Sequence, residues 1–207
     1  MGESRKRQSA GLALVMLALL PAAAGAEDMA PMAPAPQVTA LAPPKPESDA
    51  EKLDALMAEL AQPGRDDWQE IENKVERIWS KSGSAAMDLL LRRGNDAMAA
   101  EDYPGALEHL SALIEQAPDF AEGWNARATT YYLMGEYSLS IADVEHVLAL
   151  NPRHFGALAG LAAMLEDMGE PDLALKALLQ VQKLNPNRPN INEAVTRLQR
   201  QTGMADL

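Results

Sequence analysis

The sequence predicts an all-α fold in which helical hairpins stack one behind another as a solenoid. The first observation is a fixed period, because Pro118, Pro152 and Pro186 are spaced by 34 residues each. The second is composition: hydrophobic residues make up 47% of the chain and aromatic residues only 4%, so alanine, leucine and methionine supply most of the apolar volume. Alanine and leucine favour helices, and methionine fills irregular gaps between them.

Four further sets of residues recur at the same 34-residue period: Tyr103 and Tyr137; Gly135 and Gly169; Gly94, Ala128 and Ala162; Ala106, Ser140 and Ala174. A period of this length is typical of helical solenoids. The small residues allow the two helices of a hairpin to approach closely. The glycines favour the left-handed turn that ends a first helix, and the prolines stop the second helices. Each hairpin leaves an apolar face uncovered, so neighbouring hairpins must stack.

With repeats starting at residues 87, 121 and 155, these patterns resemble the tetratricopeptide repeat (TPR) family. The family has Trp, Leu, Gly or Ala, and Tyr at four positions of its first helix, where the second repeat has Trp124, Arg127, Ala128 and Tyr131. Proline occupies position 32 of every repeat. The resemblance implies a right-handed α-solenoid with TPR 1 at residues 87–120, TPR 2 at 121–154 and TPR 3 at 155–188.

Trp124, Arg127 and Glu101 carry three expectations about the packing of the repeats. Trp124 is expected to be a buried core residue that joins the first and second hairpins. Arg127 stands where the family has Leu, and we expect it to lie along the helix surface and pair with a carboxylate such as Asp143. Glu101 replaces the turn glycine in the first repeat, so that turn departs from the family pattern.

Both flanks of the repeats predict further helices. Residues 49–84 form a degenerate N-terminal helical hairpin, one residue out of register with the repeats. Asp66 or Asp67 is positioned to cap its second helix. Its first helix has one apolar face, made of Leu53, Leu56, Met57 and Leu60. Residues 189–202 form a capping helix with Ile191, Val195 and Leu198 turned inward, the cover that such stacks need at their end.

The N-terminal 48 residues predict export followed by a tether. A basic stretch at residues 5–7, an apolar run at residues 12–20 and small residues at 24–26 are typical of a secretory signal peptide over residues 1–26. An uncleaved membrane anchor is the alternative, but the apolar run falls short of the about 20 residues that span a bilayer. Residues 27–48 are rich in proline and alanine, and we interpret them as a disordered linker. We therefore expect a periplasmic protein with no stable membrane insertion after cleavage.

Charge and motifs argue against nucleic-acid binding and catalysis. The formal net charge of −12 repels phosphate backbones, so no nucleic-acid partner is expected. The chain has no cysteine, which excludes disulfides, thiolate metal sites and cysteine nucleophiles. His109, His146 and His154 lack the spacing of a helical metal site, so we interpret them as exposed helix residues. Since phosphate-binding and serine-hydrolase motifs are also missing, we expect no catalytic residue, no metal and no cofactor.

In TPR proteins the first helices of the repeats line a concave groove that holds peptides. The resemblance gives that role here to six residues: Leu91, Asn95, Met98, Asn125, Thr129 and Tyr132. The asparagines are expected to hydrogen-bond an extended peptide backbone, and the apolar and aromatic side chains to hold its apolar side chains. The alternative is that these residues form solvated helix faces. Some family members clamp a C-terminal carboxylate with Lys or Arg, but the groove positions here have neither, so that mode is not expected.

These features together predict an exported, protein-binding TPR scaffold or adaptor that holds a peptide segment in its groove within an envelope protein complex. The alternative is a structural subunit of such a complex that uses its convex face or its cap and has no peptide ligand. An enzyme or a binder of a small ligand is a third reading, which a tight small-molecule cavity would favour.

Overall fold

The computed structural model describes residues 48–203, and within that range the chain forms nine α-helices and no β-strand. The all-α fold predicted from the repeat period is confirmed. The predicted signal peptide and residues 27–47 of the predicted linker lie outside the described residues. The helices are α1 (Asp49–Leu60), α2 (Trp68–Trp79), α3 (Ala85–Ala99), α4 (Tyr103–Gln116), α5 (Ala121–Leu133), α6 (Tyr137–Leu150), α7 (Phe155–Asp167), α8 (Pro171–Leu184) and α9 (Pro189–Thr202).

Helices α3 to α8 form three hairpins, and each hairpin packs against the next. Helix α3 pairs with α4, α5 with α6, and α7 with α8. Between hairpins, α4 contacts α5 and α6 contacts α7, while the first helices α3, α5 and α7 also lie against one another in order. Helix α9 closes the stack against α8 and buries Ile191, Val195 and Leu198, the inward face that its sequence predicts.

The turns inside the hairpins use left-handed backbone at equivalent positions. Gly135 and Gly169 have φ angles of 78° and 76°, a conformation that glycine adopts without a steric penalty. Glu101 occupies the same position in the first hairpin with a φ angle of 60°. The first turn therefore keeps the geometry of the other two, although a side chain in this region costs roughly 1–2 kcal/mol.

A small residue sets the distance between the helices of the first hairpin. Gly94 of α3 faces Leu110 of α4 so closely that an added Cβ atom would lie 2.5 Å from the Leu110 Cγ atom. Leu110 is fully buried, together with Ala106 and Leu113 of the same helix. The interpretation of this repeat position as a point of close helix approach is confirmed.

Arg127 and Asp143 form a buried ion pair between α5 and α6. The guanidinium donates from Nε to Oδ2 at 2.7 Å and from Nη2 to Oδ1 at 2.8 Å, and its Nη1 donates to the Ser111 hydroxyl of α4 at 3.2 Å. The hydrogen bond to Asp143 raises the pKa of Arg127 above its ordinary value. The predicted pairing is confirmed, and through Ser111 it also ties the second hairpin to the first.

Trp124 lies elsewhere than expected. Its side chain is only partly buried, and it packs within the cluster of the second and third hairpins, not in the core of the first. The indole stacks on His146 with ring centroids 4.1 Å apart, and its Nε1 donates to the Pro118 carbonyl at 2.8 Å. The prediction of a buried core residue is wrong because the indole N–H needs an acceptor, which the α4–α5 connection offers close to the surface.

The hairpin of α1 and α2 precedes the repeats in the sequence but packs against the third hairpin and α9. Ile71 and Val75 of α2 are buried in one cluster with Phe155, Leu178 and Ile191. The buried core of the first hairpin includes no residue of α1 or α2. The chain therefore returns across the stack, and the N-terminal hairpin is not simply the next unit before TPR 1.

Asn187 fastens this N-terminal hairpin to the α8–α9 connection. Its amide nitrogen donates to the carbonyls of Leu60 at 3.2 Å and Gln62 at 2.9 Å, and its Oδ1 accepts from the Arg65 amide at 3.1 Å. The Arg65 guanidinium in turn binds the Asp67 carboxylate at 2.7 Å. Asp67 does precede α2, but its carboxylate makes no capping hydrogen bond to the helix, so the predicted side-chain cap is wrong.

His154 lies in the contact between the N-terminal hairpin and the repeats. It is 3% exposed, its Nδ1 accepts from the Ala157 amide at 3.0 Å, and its ring stacks on Trp79 with centroids 4.6 Å apart. Because Nδ1 accepts, Nε2 carries the proton and donates to the Glu122 Oε1 atom at 2.8 Å. The interpretation of His154 as an exposed helix residue is wrong, since the side chain caps α7 and supports Trp79.

Candidate functional site

A cavity of about 240 Å³ opens between α5 and α7, the first helices of the second and third repeats. Helix α6 closes it from below. Its lining consists of Asn125, Ala128, Thr129, Tyr132, Ser140, Val144, Gly156, Ala157, Gly160 and Met164. Apolar atoms dominate the floor, while the Asn125 amide, the Thr129 hydroxyl and the Tyr132 phenol come from α5. The remaining hydroxyl, that of Ser140 on α6, donates to the Ala128 carbonyl at 2.7 Å. The cavity is therefore an apolar slot with a polar wall on one side.

Two glycines of α7 explain why this space is open. Gly156 and Gly160 are separated by one helical turn and both line the cavity. A Cβ atom added at Gly160 would meet no atom within 4 Å. At these two positions α7 has no side chain that could fill the space between the helices. This absence leaves room for a side chain from another molecule.

The polar wall is held in place by contacts within the protein. Asn125 donates to the Glu122 carboxylate at 3.2 Å, and the Thr129 hydroxyl donates to the Asn125 carbonyl at 2.9 Å. Tyr132 stacks on Tyr137 with ring centroids 5.8 Å apart. Among residues 48–203, neither the Asn125 Oδ1 atom nor the Tyr132 hydroxyl has a hydrogen-bond partner. These two groups are free to bind the backbone of a ligand.

Tyr137 is fixed by the neighbouring turn. Its hydroxyl donates to the Asp167 carboxylate at 3.1 Å, and this hydrogen bond raises the pKa of Tyr137 above its ordinary value. The phenol therefore stays protonated through the physiological range. The stacked pair of Tyr132 and Tyr137 thus forms a rigid end to the cavity.

The structure brings together three of the six groove residues that the sequence indicates. Asn125, Thr129 and Tyr132 all line the cavity, whereas the lining does not include Leu91, Asn95 or Met98. Asn95 is exposed on α3, and the Met98 sulfur accepts a hydrogen bond from the Thr130 hydroxyl at 3.5 Å.

Leu91 is 6% exposed and packs in the core of the first hairpin with Ala126 of α5. Its side chain is therefore not available to a ligand. Helix α3 contacts α5, and Leu91 is buried in this contact together with Ala126.

Gly160 and Met164 are cavity residues that the sequence reasoning did not include. The available signal was Gly160, a glycine in the interior of a predicted helix. Glycine there costs about 1 kcal/mol relative to alanine. Gly156, the second residue of the same helix, lines the cavity as well.

The charged groups near the cavity are carboxylates that are already partnered. Glu122 of α5 accepts from His154, and Glu166 of α7 binds Arg197 of α9 at 2.7 Å. The cavity lining itself contains no Lys or Arg. The local field therefore favours neutral or basic ligands over acidic ones.

Among residues 48–203, no group of three or more His, Asp or Glu side chains has an arrangement that could hold a metal ion. Within the same residues, no helix is both long enough and apolar enough to cross a bilayer.

Comparison with known sequences finds repeat proteins of one kind. A family model described as "Tetratricopeptide repeat" matches residues 121–154. A TPR repeat-containing protein of Rhizobium etli is 39% identical over 152 residues, which is 73% of this chain and 74% of that protein. A Bos taurus protein named "Protein SGT1 homolog" is 33% identical over 115 residues, which is 56% of this chain but only 34% of that protein.

Solved structures share the fold at lower identity. The first TPR of Spaghetti (RPAP3) bound to the HSP90 peptide SRMEEVD has a TM-score of 0.55 and 18% identity, and the match covers 58% of this chain and 95% of that one. The crystal structure of MamA has a TM-score of 0.54 and 19% identity, with 67% and 82% covered. The repeat period, the hairpin stack and the similarity along most of the Rhizobium etli protein agree, and this chain belongs to the tetratricopeptide repeat family.

Proposed function

We propose that this protein is an exported scaffold that holds a peptide segment of an envelope protein, with one apolar side chain of that segment in the α5–α7 cavity. The observation that carries the proposal is the slot itself, open over Gly160 and bounded by Asn125 and Tyr132. An extended peptide can bond these two groups through its backbone while its side chain enters the slot.

The size of the cavity favours a side chain over a small-molecule ligand. Pockets that enclose drug-sized ligands have volumes of about 300–1,000 Å³, whereas this one has about 240 Å³. Its polar groups lie along one wall and do not converge on a reactive centre. Binding, not catalysis, is the activity that this geometry supports.

The charged residues near the cavity indicate which peptide segments it can bind. The cavity lining has no cation, and Glu122 and Glu166 lie on the two helices that form the groove. A neutral or basic segment is therefore preferred, and its association should weaken as salt rises. The RPAP3 module is described as bound to an acidic peptide, SRMEEVD. We expect this chain to reject that sequence, because nothing in its slot can neutralise the carboxylates.

Relatives support a binding role in general terms. Similar proteins include one named Hsp70-Hsp90 organizing protein 1 from Glycine max. It is 26% identical over 113 residues, which is 55% of this chain but only 20% of that protein. Such partial similarity supports a role as a protein-binding scaffold, and the partner must be identified by experiment.

The proposal that the protein is exported depends on the predicted signal peptide at residues 1–26. N-terminal sequencing of native protein tests it, and a mature chain that begins at Glu27 is the expected result.

A structural subunit without a peptide ligand is the second candidate. It is favoured by exposed apolar side chains at the start of α6 and of α8 that do not line the cavity, such as Leu139 and Leu173.

Peptide binding, the first candidate function, is tested by a substitution that fills the cavity. A random library of 12-residue peptides is selected on the wild-type protein, and the Kd values of the winners are measured on two variants. Gly160→Leu places a side chain in the cavity, while Ala142→Leu makes a comparable addition at an exposed position of α6. We expect the selected peptides to share one large apolar residue with neutral or basic neighbours.

Gly160→Leu should weaken their binding by about 10- to 100-fold, the equivalent of one buried apolar side chain. Ala142→Leu should leave the Kd unchanged. No enrichment, or winners that bind Gly160→Leu as well as the wild type, would reject the slot and favour the structural subunit.

A further inference from the structure

Five large apolar side chains are exposed at the two turns that connect α5 to α6 and α7 to α8, either in the turn itself or in the helix end beside it. They are Leu133, Met134, Leu139, Met168 and Leu173, with exposed fractions between 41% and 50%. Only one other large apolar side chain in residues 48–203, Leu150, is exposed to this degree. We call these five residues the turn edge. Their concentration at one end of the helices separates them from the isolated apolar residues that any surface carries.

The turn edge follows the repeat. Met134 and Met168 are 34 residues apart, and so are Leu139 and Leu173, so equivalent side chains stand side by side on successive hairpins. The first hairpin has Ala100 at the methionine position. The edge is therefore a row of defined length that belongs to the second and third hairpins.

Acidic residues surround this row. Glu136, Asp167, Glu170 and Asp172 lie in the same two segments, and neither residues 133–139 nor residues 167–173 contain Lys or Arg. The hydrogen bond from Tyr137 to Asp167 ties one turn to the other. The turn edge thus presents an apolar row with a negative rim on a connected piece of structure.

A second surface has the opposite character. A furrow of about 610 Å³ runs between α1 and α2. Its lining consists of Asp49, Lys52, Ala55, Leu56, Glu59, Lys74, Arg77, Ile78 and Lys81. Four cations against two acids make it positive in a chain whose formal net charge is −12. We call these nine residues the basic furrow; Leu56 and Ile78 provide its apolar floor.

The cations of the furrow are available to a partner. Within residues 48–203, Arg77 and Lys81 form no salt bridge. Lys74 binds Glu70 at 2.8 Å and Lys52 binds Asp49 at 3.4 Å, but both are exposed pairs one helical turn apart. Exposed pairs of this kind contribute little to stability and exchange partners readily.

The two surfaces lie at opposite ends of the repeat helices. The N-terminal hairpin is fastened to the α6–α7 and α8–α9 connections through His154 and Asn187, whereas the turn edge lies at the other ends of α6, α7 and α8. A helix of 14 residues separates such ends by about 20 Å. The furrow and the turn edge of one molecule therefore cannot meet, and any contact between them joins two molecules.

We propose that the turn edge of one copy of this protein docks into the basic furrow of a second copy, so that the chain associates head to tail. Apolar side chains meet the apolar floor, and the acidic rim meets Arg77 and Lys81. Such an interface is heterologous, because it uses two different patches, and a pair of copies keeps one free turn edge and one free basic furrow. It forms an open chain or closes into a ring. Neither patch includes a residue of the α5–α7 cavity, so this proposal stands or falls independently of peptide binding.

The experiment measures association by sedimentation equilibrium over a range of protein concentrations. The protein is purified in the form that the cell produces, after any natural processing. Variant F carries Arg77→Glu and Lys81→Glu in the furrow, and variant T carries Glu136→Lys and Glu170→Lys on the turn edge. At physiological ionic strength, charges more than about 8 Å apart are largely screened, so these changes act mainly at the contact. Circular dichroism of each variant checks that the helices are intact, since all four positions are exposed.

We expect the wild type to form species larger than dimers as its concentration rises. Variants F and T should each associate at least about 100-fold more weakly, because like charges then face each other. Mixing F with T should restore association beyond the dimer, since the acidic edge of F fits the basic furrow of T and the basic edge of T fits the acidic furrow of F. A chain with all four changes should associate again.

Four outcomes would overturn the proposal. They are a wild type that stays monomeric at hundreds of micromolar, full association of F or of T alone, an F and T mixture that stays monomeric, and a four-change chain that stays monomeric. The apolar part is tested by Leu139→Ser with Leu173→Ser, which should also abolish association. Leu150→Ser, at an exposed leucine outside the turn edge, is the matched control and should have no effect.

Discussion

The substitution Gly94→Ala tests whether close helix contact or helix propensity decides stability in the first repeat. Gly94 lies in the interior of α3, where alanine is favoured over glycine by about 1 kcal/mol. The new Cβ atom, however, would lie 2.5 Å from Cγ and 2.6 Å from Cδ2 of Leu110. Carbon atoms pack at about 3.5–4.0 Å, so the buried Leu110 side chain must leave its position or the two helices must separate by roughly 1 Å.

Gly160→Ala provides the matched comparison. Gly160 also lies inside a first helix, but its new Cβ atom would meet nothing within 4 Å. This variant should gain the full helix propensity and be more stable by about 1 kcal/mol. At Gly94, overpacking costs typically 1–3 kcal/mol and outweighs the same gain. We therefore expect Gly94→Ala to lower the free energy of unfolding by about 1 kcal/mol, so the two variants differ in sign.

A second substitution identifies the cause. In the second hairpin the equivalent pair is Ala128 and Val144, both buried. Combining Gly94→Ala with Leu110→Val recreates that pair, so the double variant should be more stable than the sum of the two single effects predicts.

Urea denaturation followed by circular dichroism gives the free energies, and each kcal/mol corresponds to about 2–4 °C in Tm for a chain of this size. A Gly94→Ala protein as stable as Gly160→Ala would refute the account of close contact.

Two further predictions concern polar contacts. Arg127→Met should destabilise the protein by about 3 kcal/mol or more in urea denaturation, because it leaves the Asp143 carboxylate buried at 4% exposure without its partner. Adding Asp143→Leu should recover most of that loss, and a double variant no better than the single one would contradict this reasoning. Asn187→Ala removes three hydrogen bonds to the N-terminal hairpin and should speed amide hydrogen exchange in α1 and α2 while leaving α3 to α6 unchanged. Asn190→Ala, at an exposed side chain, is its control, and uniform acceleration across the chain would argue against a separately docked hairpin.

Much of the candidate site was within reach of sequence reasoning. Asn125, Thr129 and Tyr132 follow from the register of the repeat, since the first helix presents every third or fourth residue to the groove. The cavity they border did not follow, because an empty space depends on what the neighbouring helix lacks. In the sequence, Gly160 is a single glycine inside a predicted helix. Its missing side chain becomes part of a cavity only when α7 lies beside α5.

Errors arose where a residue's surroundings depend on how helices and connections pack against one another. His154 has the spacing of an unpaired surface histidine, but Trp79 and Glu122 surround it in the folded protein. Trp124 matches the family position, yet its indole N–H donates a hydrogen bond to the Pro118 carbonyl near the surface. Leu91 matches a groove position, yet α5 covers it. In each case the partner lies on another helix or connection.

The sequence by itself determined the hairpins and their order, because a 34-residue period of small residues, glycines and prolines specifies local turns and helix contacts between neighbours. It also determined which faces of α1 and α2 are apolar. Only the tertiary structure decided that those faces pack on Phe155, Leu178 and Ile191 and not on TPR 1. The physical reason is that an amphipathic pattern records the need to be buried and carries no information about which of several apolar surfaces will meet it.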